Sequence, residues 1–464
     1  MLNFKSAFFL ITLFMFLFGC NSKTQEQDTQ KVENQEVTTP PSPLTLIPET
    51  RINDNETIFT IDESNRAGWW KPITSNDKTL FVAFNSLGPE SSHCEDNSTH
   101  HITVAYKSEQ QSWQYLSAQT SKYLWNKCDN NGHKQPTIAV DGNDVIHLWA
   151  DMHNDKDGCC YFNNSDSHDK LALQNDFKGR GRFTYPIADT SPSGDIYLVL
   201  RNLPNINPGD DSVNYEGAGE LYLWEHNLKK WSKAGTFAEN TQRLQGFNAP
   251  VYPDDVYVDS QGIVHILWQW SLKTTDAKRY YGSYITYHES DRSFYAADGS
   301  LLSTPISLAS RHTIPNLVYE DSIPYSGTFI QTAKLIVDDN YCSPCIAYRT
   351  ITETQHQVRF TRWVEGQWSE PEIAFSTSDS ITSATLDISV DQLAVAIYYA
   401  VKDEGAFVAR RELNGLNWTS ELLQPSSAQD IRLSVTNYAD KIVLYLSNLV
   451  NEDKRSELTI QPIE

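Results

Sequence analysis

The chain has 464 residues, with 37 basic against 59 acidic side chains and a formal net charge of −22. That balance is the reverse of what a nucleic-acid binder carries, and a polyanionic ligand would require positive charge gathered locally. With 12 Trp, 23 Tyr and 19 Phe, the sequence has enough to bury for one large domain.

Lys5 is followed by an apolar run over residues 7–18, too short to span a membrane comfortably. The run ends in Leu17-Phe18-Gly19-Cys20, then polar Asn21 and Ser22. This resembles the lipobox of bacterial lipoproteins, which implies a signal peptide over residues 1–19 and acylation of Cys20. The alternative is an ordinary signal peptide with an incidental cysteine. The expectation is a lipoprotein of the outer membrane or cell surface, or facing the periplasm, that meets the membrane only through its anchor. Residues 20–43, rich in Gln, Glu, Asp, Thr and Pro, read as a disordered linker. Residues 44–464 read as one domain.

From there on helical periodicity is nearly absent, and short strands with alternating apolar and polar residues recur. Three segments, starting at Pro136, Pro186 and Pro253, each read as strand, turn and second apolar strand. Their second strands carry His147, Tyr197 and His265 at matching places, and the two histidines are 118 residues apart. Weaker copies lie at 70–84, 335–348, 385–399 and 431–446. A second element is a strand ending in Trp and a small polar residue, at Trp113, Trp231, Trp368 and Trp418. Two hairpins per unit and seven units predict an all-β, seven-bladed β-propeller with four-stranded antiparallel blades. Segment 44–61 is expected to supply the strand that joins the last blade to the first.

Hairpin geometry puts the start of each first strand and the end of each second strand on one rim. The starts carry His133, Tyr185 and Tyr252. The ends carry Asp151 and His153, Arg201 and Asn202, and Gln269 and Trp270. Strand-end positions are where propellers place function. His147 and His265, inside second strands beside Leu and Trp, read as satisfied structural histidines. The basic run Lys178, Arg180, Arg182 leads into Tyr185 and reads as a polyanion-binding patch. Besides Cys20 there are six cysteines, Cys94, Cys128, Cys159, Cys160, Cys342 and Cys345, read as disulfides or unpaired thiols. No cofactor is needed for catalysis in this reading, which leaves room for a structural zinc or calcium ion.

The rim set suits β-elimination from a uronic-acid chain. Arg neutralises the carboxylate and so acidifies the proton at C5, while Tyr and His can take that proton and give one to the leaving oxygen. Hydrolysis would need paired carboxylates, and Asp151, Asp189, Asp254 and Asp255 keep it open as an alternative. A non-catalytic glycan-binding surface lipoprotein is the other.

The motifs His133-Lys-Gln-Pro-Thr-Ile-Ala-Val-Asp, Asp151-Met-His153-Asn, Thr184-Tyr185-Pro186, Leu200-Arg201-Asn202 and Asn248-Ala-Pro-Val-Tyr252-Pro resemble the BNR-like propeller family that includes the ulvan lyases. The resemblance implies cleavage of ulvan, a sulfated rhamnose–uronic acid polymer, into 4,5-unsaturated uronyl products. It implies His133 and Tyr185 as the proton-transfer pair and Arg201 as the neutraliser. His153, Tyr252, Lys134, Asn202 and Arg182 then bind substrate or support the others. The implied partner is an acidic polysaccharide, with no nucleic acid.

Overall fold

The computed structural model describes residues 45–463 apart from 54, 67–69, 88–99, 121–123, 126–133, 154–159, 179, 204–216, 240–242, 245–246, 272–277, 323–326, 353, 379–384, 429 and 450–455. Pro43–Glu464 form one compact unit. It is all-β: among the described residues the helical content is a single 3₁₀ turn, Ser310–His312. Cys20 and His133 lie outside the described residues.

The recurring unit is a four-stranded antiparallel sheet, seen most simply in Arg182–Thr190, Ile196–Leu203, Ala218–Glu225 and Lys230–Ala238, paired in that order. A short polar side chain builds its hairpin turn, here Ser191, whose Oγ accepts from the Asp195 N–H at 3.1 Å, and in the neighbouring sheets an Asp. Asp141 Oδ1 accepts from the N–H groups of Asn143 and Val145 at 2.8 and 3.0 Å, and Asp259 Oδ1 from Gln261 and Ile263 at 2.9 and 2.8 Å. Such side-chain bonds replace the backbone partners a tight turn loses. The second strands are largely apolar because both of their faces are covered; every residue of Ile196–Leu203 is buried.

Seven of the described strands are the leading strands of successive hairpins: Ile73–Ser75, Thr137–Val140, Arg182–Thr190, Val251–Val258, Phe329–Asp338, Leu386–Val390 and Asp430–Tyr438. Each packs on the next, and the last packs on the first. Aspartates fasten consecutive leaders. Asp189 Oδ2 accepts from the N–H of Val258 (2.7 Å), Asp255 Oδ2 from Leu335 (3.0 Å), and Asp387 Oδ2 from Val435 (2.8 Å). Their charges face a cavity of about 160 Å³ that also takes Lys71. Lys71 Nζ lies 3.3 Å from Asp255 Oδ1, and Lys334 Nζ 3.5 Å from it. Closure comes from Glu56–Ile61, which pairs with Ser456–Ile463 as expected of segment 44–61. One joint departs from the repeat: Leu171–Gln174 runs parallel to Gln114–Gln119, tying the outer strands of the first two sheets.

Two expectations change. Trp113, Trp231 and Trp418 stand just before or at the start of an outer strand rather than at the end of one, whereas Trp368 does end the two-residue strand Gln367–Trp368. Each indole is a peg into the preceding sheet. Trp113 Nε1 donates to Thr57 Oγ1 (3.0 Å), Trp231 packs on Trp149 and Tyr161, Trp368 on Tyr284, and Trp418 on Phe360. Secondly, the first strands run through Pro186 and Pro253 instead of beginning at them. The ladder survives because a bulge sits at each proline, with register shifts between Thr184 and Ile187 and between Pro253 and Asp255.

His147 and His265 are structural, as read. His147 Nδ1 bonds the Tyr161 hydroxyl at 2.6 Å with Nε2 towards Asp141, and His265 Nδ1 bonds the Tyr284 hydroxyl at 2.7 Å with Nε2 3.2 Å from Asp259. Burial lowers both imidazoles below the ordinary histidine value, against the pull of the aspartates. Cys342 and Cys345 form a disulfide, and Cys160 is also disulfide-bonded.

Candidate active site

Tyr185 owes its position to the proline after it. Pro186 has no N–H to give the ladder, so the strand bulges and Tyr185 takes a left-handed φ of 57°. That conformation is costly for a bulky residue and is tolerated where the surroundings fix it. The ring turns into a small aromatic cluster with Trp70 and Tyr252, the two tyrosine rings 5.3 Å apart at 47°. Tyr252 precedes the second bulged proline and pairs with Gln269.

Arg201 lies across these rings. Its Cζ is 4.7 Å from the Tyr185 ring centre and 4.5 Å from that of Tyr252. Within the ladder it stands between Thr184 and Gly219. Gly217 leaves room for its aliphatic stem: a Cβ there would come within 2.6 Å of Arg201 Cδ. Tyr185, Arg201 and Tyr252 are 5%, 3% and 3% exposed, so these strand-end residues are buried rather than set on loop tips. The cause is the bulged ladder, which carries the strands past them. Arg201 Nε and Nη1 have no hydrogen-bond partner among the described residues. A buried guanidinium held mainly by ring faces is an incomplete site for an anion.

Arg279 was not legible from the hairpin reading. Its Cζ lies 3.9 Å from the Tyr252 ring centre, and it hydrogen-bonds Tyr185. It opens the third strand of its sheet, Arg279–His288, opposite Ser271 at the end of the second. Carrying the antiparallel rule one strand further would have found it, since a third strand starts on the rim where the second stops. Asp254, which entered the sequence reading only as a candidate for hydrolysis, also lies beside Arg279. As the extra residue of the Pro253 bulge it is fully buried, and burial pushes its carboxyl up to about 8 despite Arg279 and Lys334. Burial likewise raises the Tyr185 phenol; Tyr252 raises it further, while Arg201 and Arg279 pull it down. Its neutral phenol is therefore the resting form, and the two arginines stand ready for a phenolate.

His153 makes an antiparallel bridge to Thr184, the residue before Tyr185, so its backbone adjoins the same rung as Arg201. Lys134 is turned to an ion pair, Nζ to Asp151 Oδ1 at 3.0 Å. Asn202, next to Arg201 on a pleated strand, faces the other side; its Nδ2 donates to Glu220 Oε2 at 3.1 Å. Arg182 opens its strand three residues before Tyr185 and is half-buried, while Lys178 and Arg180 are exposed. Among the described residues no three His, Cys, Asp or Glu side chains are grouped to hold a metal ion.

Residues 79–376, well over half of the chain, match the BNR repeat-containing family. The chain belongs to that family. No curated protein matches it at the level of sequence. Among solved structures it is similar to a polysaccharide lyase described as a PL25 ulvan lyase bound to -[GlcA(1-4)Rha3S]-, with TM-score 0.63 and 13% identity over 86% of this chain and 94% of that one. It is similar to polysaccharide lyase Uly1, with TM-score 0.58 and 14% identity over 86% and 91%. A protein of unknown function from Dyadobacter fermentans matches with TM-score 0.51 and 10% identity over 90% of this family member and 100% of its own length. At these identities the likeness establishes a shared fold.

Proposed function

We propose that this chain is a polysaccharide lyase that cleaves a uronate polymer of the ulvan kind by β-elimination, on a seven-bladed propeller whose blades are the repeated sheets. The cycle of leading strands and the closing strand Glu56–Ile61 support that architecture. We propose also that residues 1–19 are a lipoprotein signal and that Cys20 carries the lipid, which would hold the enzyme at the bacterial surface or facing the periplasm.

The observation that carries the reaction is Arg201, a buried guanidinium packed on Tyr185 and Tyr252 with two nitrogens unpartnered. A uronate carboxylate laid on it would lose its charge to a bidentate pair. That neutralisation makes the C5 proton acidic. A base then takes the proton, the electron pair forms the C4–C5 double bond, and the C4–O bond breaks toward the leaving oxygen. Tyr185, held neutral by burial and bonded to Arg279, is suited to protonate that oxygen. The family resemblance pairs His133 with Tyr185 without an order, so with Tyr185 as the acid His133 is left as the base, and His153 beside the Thr184 rung is its support. Tyr252 and Arg279 keep Arg201 and Tyr185 in register.

Hydrolysis has less support. Of the four carboxylates the sequence offered for it, Asp189 and Asp255 are committed to the inner cavity and Asp151 to Lys134, which leaves Asp254 alone among the four where an acid–base pair requires two. The deciding experiment is incubation with ulvan followed by near-ultraviolet absorbance. A lyase leaves a chromophore, the C4–C5 double bond conjugated to the carboxylate. Binding without that absorbance would overturn the assignment.

A further inference from the structure

A second group of buried arginines stands where hairpin register makes it equivalent to Arg201. Arg201 lies two residues before the end of its second strand, Ile196–Leu203, and Arg349 two before the end of Cys342–Ile351. Arg432 pairs with Ser447, which again stands two residues before the end of Lys441–Leu449. All three therefore reach the same rim. Arg349 and Arg432 are 2% and 8% exposed. Arg349 Nη2 donates to Gln331 Oε1. Arg432 Nη2 donates to Asp430 Oδ2 at 3.1 Å, and Arg66 Nε lies 3.7 Å from the same oxygen at the more open lip. Arg432 Nε and Nη1 have no hydrogen-bond partner among the described residues.

Two guanidinium groups, those of Arg432 and Arg66, thus lie against one carboxylate, and Arg349 is close enough to Arg432 to feel its charge, in a protein of net charge −22. The cost of that crowding is visible. Burial, then Arg432, pushes Arg349 down to about 9. Burial also pushes Arg432 down to about 10, with Arg66 adding to it against Asp430. An anion between them would relieve both burial and repulsion.

We propose that Arg349 and Arg432 form a second oxyanion subsite that grips a charged group of the polysaccharide, a sulfate ester or a further carboxylate, away from the sugar being cleaved. The subsite rests on the lyase reading for its substrate but not for its chemistry. It would fix the register of a polyanion across the rim, so that the uronate due for cleavage falls on Arg201.

The test measures binding by calorimetry in the Tyr185→Phe background, where turnover is expected to stop, using ulvan, desulfated ulvan and carboxyl-reduced ulvan. Adding Arg432→Gln should weaken binding of ulvan by about tenfold or more, the scale of a charge-assisted hydrogen bond. Arg66→Gln, at the open lip and easier on folding, should weaken it less. If the loss disappears with desulfated polymer, the bound group is a sulfate; if it disappears with carboxyl-reduced polymer, it is a carboxylate. Unchanged affinity for ulvan in Arg66→Gln, and in Arg432→Gln where that variant folds, overturns the subsite and leaves the lyase reading standing. The predicted loss of binding, with no unsaturated product from the parent enzyme, would sustain the subsite and remove the lyase reading.

Discussion

Arg201 is held against two phenol rings by its neighbours in the chain: a bulge at Pro186, a bulge at Pro253 and a glycine at 217. Each can be changed separately. Arg201→Ala should lower kcat at least about a hundredfold, as removing a preorganised charge partner does, with the unfolding midpoint little changed. Arg201→Lys should recover only part, because an ammonium cannot make the two-pronged contact. Gly217→Ala leaves the guanidinium in place chemically but pushes its stem, and a displacement of that kind costs up to about a hundredfold in rate; steady-state kinetics beside a thermal melt separates the two effects. Tyr185 makes a pH prediction. Its phenol is raised above the ordinary 10.0 by burial, so as a proton donor it is competent below that pKa and lost only as pH rises through it. The kcat profile should show no alkaline fall below pH 10; a fall near neutrality assigns the proton to another group. Tyr185, Arg201 and Tyr252 were legible because prolines mark the hairpin register. Arg279 was not, since it belongs to a third strand, and Asp254, weighed only for hydrolysis, gave no sign of the bulge that buries it.

At the scale of the element, the hairpin is the unit that sequence patterning reveals and the joint between sheets is what it conceals. The turn aspartates Asp141 and Asp259 stand out in any reading, yet their second oxygens reach His147 and His265, whose other nitrogens meet tyrosines on the third strand. Those chains tie turn, second strand and third strand together. Their histidines are held neutral by burial, below the ordinary 6.5. The unfolded chain therefore takes up protons that the folded one refuses as pH falls below 6.5, and stability declines there. Asp141 and Asp259, lowered below the ordinary 3.8 by their histidines and backbone donors despite burial, add a further loss at lower pH. Urea unfolding at pH 7 and pH 5 should show a fall in stability between them, and His265→Gln should flatten it; an unchanged slope would contradict the account. The tryptophans teach the same point from the other side. Their recurrence was plain, but their role as pegs into the preceding sheet depends on which sheets are neighbours, and strand patterning alone does not carry that.

For the whole molecule, the cycle of leading strands closes through Glu56–Ile61 on Ser456–Ile463, so residues nearly four hundred apart share one sheet. Phe59 is fully buried in that joint against Phe84 and Trp113. Phe59→Ala should cost about 3–5 kcal/mol, measured by denaturant unfolding, and a loss below 1 kcal/mol would mean that the closure is dispensable. The repeat and its approximate number could be read from the sequence because each sheet rebuilds the same turn and the same apolar second strand. The concentration of arginines on one rim could not, because it draws on strands from separate sheets that only the closed cycle brings to one end. On the proposed lyase reading, that rim is what would let an acidic protein hold an acidic polymer. The most direct measurement is the near-ultraviolet absorbance of ulvan incubated with the enzyme: the account predicts a steady rise as unsaturated uronyl ends form, abolished in Arg201→Ala. New reducing ends without that absorbance would contradict it.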